Sequence, residues 1–359
     1  MRVLFLNQYF PPDPAPTGVL FREVADECER AGHVVDFVDA AQDYRGGQQS
    51  GGRMKREFAA LGRMWSAGKN RERADVVVSG SSPPFLAVIA DRVARKHRAR
   101  HIHWAMDVYP EIAVELGEVR RGSLVAKITS WMMGRAYRRC AKVVALDADM
   151  ANRLRKYDVE PVCIRPWVPQ AVLDQPAPDV QPDAEWTWIY SGNLGRAHEW
   201  ETLLRAQQWI EQRGVDARLV FQGGGPSWPA AKARAAELGL RRCEWRGYAA
   251  EGELSATLLR SQALVVSQLP SVQGLLWPSK LALVMSLPRA ILFVGPVDGA
   301  IAAELRRFPH AGIFSPGDAD GVAEWIAARR LGGEIGVPLD ARAHRADALA
   351  KWGRMVAVE

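Results

Sequence analysis

The stretch WIYSGNLGRAHEW, residues 188–200, decides how the rest of the chain is read. A strand-like apolar run breaks at Gly192-Asn193-Leu194-Gly195, and Arg196 and His198 follow at what reads as the start of a helix. In a doubly wound sheet such a seam lies at the carboxyl end of a strand, where ligands bind. Glycine lets the backbone approach a ligand, and the free amides of a helix start offer partial positive charge to an anion. Arg196 adds a fork of donors suited to phosphate oxygens, and Asn193 a neutral donor. The plain alternative is a tight turn with an incidental arginine. A dinucleotide fingerprint is excluded, because the third glycine of that pattern is missing and no acidic residue stands clearly about 20 positions on.

Outward from this seam, strand and helix patterns alternate in both directions. RVLFLN, VVDFVD, DVVVSG, RHIHWAM and KVVALD read as buried strands with helical periods between them, and the helix over 17–31 stops at Gly32. The segment 166–186 holds five prolines and neither period, so 169–185 is expected to be a linker. Alternation then restarts with TWIYSG, ARLVFQG, RCEWRG, ALVVSQ, AILFVG and AGIFSP. This predicts an α/β protein of two doubly wound parallel-sheet domains, 1–168 and 186–337. A last helix, about 338–358, lies beyond the second set of strands and could cross back to the first domain.

Composition agrees with that size. The 359 residues are 48% hydrophobic and 25% charged, as in an ordinary globular chain of two domains. No apolar run approaches the roughly 20 residues of a membrane span, and MRVLFLNQYF is too short for a secretory signal. The four cysteines are scattered without CxxC spacing, which disfavours a structural metal or disulfide framework and fits a reducing cytoplasm. The net charge of +6 is spread along the chain, so an anionic ligand or membrane surface is expected as partner rather than nucleic acid.

Two further turns resemble the first. ARLVFQGGGPSW ends a strand at Gln222, Gly223 and Gly224 before another helix. In SVQGLLWPSKL, Gln273 and Gly274 open a loop, and Pro278 starts a helix with Ser279 and Lys280 in its first turn. A lysine there opposes the helix dipole, a penalty that a bound anion would remove. The three turns together read as a diphosphate site.

These residues resemble the bacterial nucleotide-sugar glycosyltransferases of the GT-B fold, in the large retaining family 4, and within it the O-antigen, capsule and exopolysaccharide branch. The blocks FLNQYFPPDPAPTG, SGSSPPFLAV, MDVYPEIAVELG, YSGNLGRAHEWETLL and QGLLWPSKL carry the resemblance in order. It implies two Rossmann-like domains facing across a cleft, with donor on the C-terminal side and acceptor on the N-terminal side. It further implies a nucleotide-diphosphate sugar as donor, UDP in preference to GDP, a glycan or polyprenyl-diphosphate-linked acceptor, no metal or other cofactor, and a cytoplasmic place, peripheral on the inner membrane face. Substrate binding would fall to Thr17 and Gly18 in the first loop, to Gly192, Asn193, Leu194, Gly195, Arg196 and His198, to Gln222, Gly223 and Gly224, and to Gln273, Gly274, Leu275, Ser279 and Lys280. Tyr248 would stack on the base or serve as a structural tyrosine. The sequence departs from the family where relatives carry two glutamates: Gln273 and Leu281 stand there. Asn193 and His198 also replace a basic pair, leaving Arg196 and Lys280 to supply charge. A UDP-sugar epimerase of the same fold and a two-lobed binding protein are the alternatives.

Retaining transfer needs a proton acceptor for the incoming hydroxyl. Within HIHWAMDVYPE, Asp107 is the first choice and Glu111 its positioner, while His103 is further back on the strand, where a satisfied sheet histidine is the heavier reading. Helix capping competes for Asp107. Asp147-Ala148-Asp149 and Asp318-Ala319-Asp320 precede helical patterns and read as caps rather than metal ligands. Residues 53–73 form a basic amphipathic segment with Met54, Phe58, Leu61 and Trp65 in one stripe, after QDYRGGQQSGGR, which reads as a mobile loop. The segment either covers the sheet or contacts anionic lipid or a lipid-linked acceptor.

Overall fold

A computed structural model describes residues 1–13, 15–40, 53–175, 180–250 and 252–357. Most of the loop read at 42–53, part of the expected linker (176–179), the side chain of Met54 and the end of the last helix lie outside the described residues. The chain divides into two units: Met1–Pro169 with Gly274–Trp277 and Ala343–Glu359, and Gln170–Gln273 with Pro278–Arg342.

Unit 1 is built on six parallel strands: β1 (Arg2–Leu6), β2 (Val34–Val38), β3 (Val76–Ser79), β4 (Arg100–Trp104), β5 (Lys142–Ala145) and β6 (Val162–Cys163), in the order β2-β1-β3-β4-β5-β6. The central strands are apolar without alternation because helices cover both faces, and all four residues of β3 are buried. Strand β6 escaped the sequence reading, since two residues show no period. The helix expected over 17–31 runs Pro16–Arg30 and buries Leu20, Phe21, Val24 and Cys28. Gly18 lies where that helix crosses the first loop, and a Cβ there would stand 2.6 Å from the Tyr9 carbonyl oxygen.

The last helix, Ala341–Ala357, inserts Trp352, fully buried, against Trp104 at 4.7 Å between ring centroids, and Trp104 in turn stacks on Trp167 at 5.7 Å. The buried Glu23 carboxylate ties the cluster together, accepting from Trp167 Nε1 at 2.7 Å and Arg345 Nε at 2.9 Å. Arg100 Nη2 donates to the Val356 carbonyl at 2.7 Å, a cation at the helix's C-terminal turn.

Unit 2 carries β7 (Trp186–Asn193), β8 (Ala217–Gly224), β9 (Cys243–Arg246), β10 (Ala263–Ser267), β11 (Ala290–Val294) and β12 (Ala311–Phe314), all parallel, in the order β12-β11-β10-β7-β8-β9. Its core gathers Trp188, Tyr190, Leu203, Leu219, Phe221, Val265 and Leu292.

Two stretches fall differently from the boundaries expected of the sequence. Residues 274–277, inside the second domain's span, belong to unit 1: the Val108 amide donates to the Leu275 carbonyl at 2.9 Å, and Leu276 bridges to Asp107. A Cβ on Gly274 would stand 2.7 Å from the Asp149 backbone. LLW lies in neither helix nor strand, so periodicity says nothing of its partner. The expected linker begins as a helix, Gln170–Leu173, grouped with unit 2, and Asp183 is bonded into that unit through the Arg260 carbonyl at 2.8 Å and Gln262 Nε2 at 2.7 Å.

Trp352→Ala should cost about 3–5 kcal/mol, the range for removing a buried tryptophan. Denaturant melts that leave the midpoint unchanged would show that the last helix contributes nothing to unit 1.

Candidate active site

In unit 2 the chain runs from β7 outward to β8 and β9, then returns to start β10 on the other side of β7. Helices before and after this reversal leave the sheet on opposite faces, which opens a crevice beyond the carboxyl ends of β7 and β10. Gly192 and Asn193 end β7, and Ser267 ends β10. Val265 lies opposite Tyr190, so the register carried on two residues sets Ser267 beside Gly192, on the face that holds Tyr190.

Lys280 comes to the same place. Its Nζ lies 3.0 Å above the centre of the Tyr190 ring and 4.0 Å from where a Gly192 side chain would begin. The residue is half-buried, but Nζ itself is out of reach of solvent and has no hydrogen-bond acceptor among the described residues. Burial pulls the ammonium well below the ordinary lysine range, and the Tyr190 face beneath it is a favourable neighbour. Ser267 Oγ, at the end of β10, is likewise buried without a hydrogen-bond partner among the described residues. Gln222 Nε2 shares that state at the end of β8, but its register opposite Ser191 puts it on the other face of the sheet from Tyr190. Buried polar groups are nearly always satisfied, so Lys280 Nζ and Ser267 Oγ on the Tyr190 face form a candidate place for an acceptor from outside the chain.

The glycines fix how closely the turns approach. Gly223 has φ +127°, and a Cβ on it would stand 2.2 Å from the Gly192 carbonyl oxygen, so no other residue fits. The Leu194 amide donates to the Gly224 carbonyl at 2.6 Å, joining the two turns. His198 Nδ1 lies 3.1 Å from the Gly195 amide nitrogen and 3.3 Å from the Gly195 carbonyl oxygen, so the ring is held by the Gly195 backbone. Burial, reinforced by Lys280, lowers His198 to about 4, so it is neutral near pH 7. Tyr248 lies against Gly224 with 62% of its surface exposed, an aromatic face open to stacking.

Several placements correct the sequence reading. Arg196 and His198 do not open a helix: β7 runs on to Asn193, and the helix starts at Glu201. Its Thr202 amide is taken by the Glu199 carboxylate at 2.7 Å, so the protein supplies its own anion. Arg196 and Ser279 are exposed. Lys280 stands at the N-cap of the short helix Leu281–Ser286, not within its first turn; Pro278 and Ser279 precede that helix as a turn. Gln273 stays in unit 2, whereas Gly274 and Leu275 are held by unit 1. Tyr190 and Ser267 went unnoticed. The strand reversal was the available signal, since it names the first and fourth strands of the domain.

In unit 1 the Asp107 carboxylate has no hydrogen-bond partner among the described residues, and burial raises it to about 6. It caps no helix: the following helix, Glu111–Glu115, has Pro110 at its N-cap, and the Asp107 amide donates to Ser81 Oγ at 2.9 Å. Glu111 accepts from Lys156 Nζ and the Tyr157 hydroxyl, and lines a cavity of about 410 Å³ with Val114, Arg121 and Lys127. His103 is fully buried and shares Ser79 Oγ, at 2.9 Å, with His101; burial holds it well below the usual histidine range. Thr17 is half-buried in the first turn of its helix. Asp147 accepts from the Met150 amide at 2.7 Å and Asp318 from the Gly321 amide at 3.0 Å, both as helix caps. Among the described residues no group of three His, Cys, Asp or Glu side chains converges as a metal would require.

No family model matches the chain. A Pseudomonas aeruginosa protein named probable glycosyltransferase WbjE is 25% identical over 235 residues, 62% of this chain and 58% of that protein's length. Among solved structures, sucrose-phosphate synthase of Thermosynechococcus elongatus superposes with a TM-score of 0.67 at 14% identity, covering 99% of this chain and 93% of that one. HepE of Anabaena, in complex with UDP, gives 0.62 at 12% identity over 99% and 98% of the two chains. The lipopolysaccharide outer core galactosyltransferase WaaB gives 0.59 at 13%, covering 99% and 95%. The fold is GT-B. Of the two GT-B units, the second has the strand order in which the first and fourth strands flank the ligand crevice.

A lysine whose folded value lies below its unfolded one takes up a proton on unfolding, so it costs stability at neutral pH and less as pH rises towards about 10. Lys280→Met should therefore stabilise the ligand-free protein by about 1–3 kcal/mol at pH 7, and the gain should shrink at pH 9.5. Urea melts at the two pH values test this; a destabilised variant at pH 7 would mean the amine has a partner.

Proposed function

We propose that this chain is a glycosyltransferase of surface-polysaccharide synthesis. It moves a sugar from a nucleotide-diphosphate sugar, a UDP-sugar in preference, to a glycan or polyprenyl-diphosphate-linked acceptor, with retention at the anomeric carbon and without a metal. One observation carries the reading: the buried, acceptor-free Lys280 Nζ at the strand reversal of unit 2. A diphosphate oxygen there gives the ammonium a counter-charge in a site that holds few other charges, where such pairing is strong. Ser267 and the His198 ring add neutral hydrogen-bonding groups, and Tyr248 offers a platform for the base.

In the reaction the bond from the anomeric carbon to the phosphate oxygen breaks, and a bond to the acceptor oxygen forms. Lys280 and the neutral donors stabilise the charge that builds on the departing diphosphate, as preorganised groups that need not reorient. The acceptor hydroxyl's proton passes to Asp107, whose raised value suits a base at neutral pH. Glu111 is held by Lys156 and Tyr157 and lends position, Thr17 and Gly18 shape the acceptor loop, and His103 is assigned to the sheet.

Titration calorimetry with UDP, GDP, ADP and dTDP should find UDP the tightest. Lys280→Ala should weaken it about ten- to a hundredfold, as expected for hydrogen bonds to a charged group. Arg196→Ala should weaken it less, the guanidinium being exposed. Unchanged UDP affinity in Lys280→Ala would remove the assignment. Conversion of a UDP-sugar to its epimer without acceptor would replace transfer by epimerisation.

Since the base must be ionised, the transfer rate should rise with pH through about 6 in the wild type. Asp107→Asn should abolish that limb and lower turnover by about 10²–10⁴, with UDP affinity retained. Asp147 also titrates near 6, so persistence of the limb in Asp107→Asn would transfer it to the cap. Transfer is expected to continue in excess EDTA, and loss that Mg²⁺ restores would refute the metal-free reading.

A further inference from the structure

The helix Leu124–Tyr137 in unit 1 is apolar on both sides. Its inner side buries Met133, Ala136 and Tyr137. The outer side leaves Leu124 (72% exposed), Val125 (59%), Ile128 (48%) and Trp131 (62%) to solvent. Residues 124, 128 and 131 fall on one stripe of a 3.6-residue helix, with 125 beside them. A helix that is hydrophobic all round is normally covered all round, and a continuous exposed apolar stripe marks a contact surface.

The charge around this stripe has one sign. Residues 120–139 contain six Arg and Lys and no Asp or Glu. Arg121 pairs with Glu115, Arg138 with Asp158 and Arg139 with Asp91. Arg120, Lys127 and Arg135 have no carboxylate partner among the described residues, and Arg135 reaches over the Trp131 ring at 6.0 Å. We propose that this face rests on an anionic phospholipid surface, with Leu124, Val125, Ile128 and Trp131 at the boundary of headgroups and acyl chains and the three cations among the phosphates. The pattern of apolar anchors ringed by lysine and arginine is what such a surface selects. A second copy of the chain fits less well, because pairing this face with itself sets cation against cation.

The basic helix Arg53–Lys69 is a poorer candidate. It commits Ala60, Leu61 and Met64 to the unit 1 core and keeps Phe58, at 59%, as its large exposed apolar side chain among the described residues. The proposal stands on Leu124–Tyr137 alone and does not depend on the transfer reaction.

Flotation of the full chain with phosphatidylglycerol–phosphatidylcholine vesicles, and with phosphatidylcholine alone, tests it. The wild type should float with the anionic vesicles and release as salt shortens the Debye length from about 10 Å at 0.1 M towards 3 Å at 1 M. Ile128→Ser with Trp131→Ser should reduce the partition coefficient at least about tenfold, since each removes apolar area from the contact. Lys127→Gln with Arg135→Gln should reduce it on anionic vesicles only, and Phe58→Ser should leave it unchanged. Melting temperatures of the variants should match the wild type, as the substituted positions are exposed. Wild type that stays off the anionic vesicles, or an Ile128/Trp131 variant that floats like wild type, overturns the proposal. So does a wild-type dimer that the same variant splits in sedimentation, because the face would then belong to a second copy.

Discussion

An ammonium group with no acceptor, pressed onto a tyrosine face, is the constraint around which unit 2 is arranged. Lys280 Nζ loses its hydration, has no hydrogen-bond partner among the described residues and lies against the ring of Tyr190. For that ring to lie beneath it, Tyr190 shares a face of β7 with Gly192, whose place within the strand carries no side chain beside Nζ. Gly223 must then follow, because the neighbouring strand passes so close that its Cβ would strike the Gly192 carbonyl. The two glycines let the turns meet at the point where the sheet reverses, and burial together with the nearby Lys280 keeps His198 neutral. Such an arrangement costs free energy in the ligand-free protein, and the proposed diphosphate would offset that cost.

Unit 1 is organised by packing instead. Trp104, Trp167 and Trp352 come from a central strand, the chain before the linker and the last helix, and they meet around the shared Glu23 carboxylate. That cluster draws residues 343–359 to the first sheet although the chain has meanwhile built a whole second sheet. The short 274–277 segment does likewise by backbone pairing beside Asp107. The carboxylate proposed to take a proton therefore sits next to a segment supplied from the middle of the second domain's sequence, and its raised value follows from being enclosed without a hydrogen bond.

Much was legible in the sequence because it is local. The period of two and the period of 3.6 depend on neighbouring residues, so eleven of the twelve strands among the described residues and the pair of doubly wound domains could be read from them, while GT-B came from the resemblance of the sequence blocks. Gly-rich seams after apolar runs disclosed Gly192, Gly195, Gly223 and Gly224, since close backbone approach leaves a mark in composition. Lys280 stood out as a cation against the dipole of a helix expected to start at Pro278; the helix in fact starts three residues later, at Leu281, and what marks Lys280 is burial rather than a dipole.

What the sequence could not contain is who meets whom across long separations. Ser267 is one more serine at the end of a strand until the order β12-β11-β10-β7-β8-β9 sets it beside Gly192. His103 looked like a candidate acid or base until the sheet enclosed it with Ser79 and His101. Nothing in a helical period says that the stripe of Leu124, Val125, Ile128 and Trp131 is the apolar side that the fold leaves exposed. Composition and period fix elements and their ends, because those are set by the chain's own neighbours. Burial, which shifts Lys280 and Asp107 and which Trp131 escapes, is a property of the surroundings and is decided only when the elements pack.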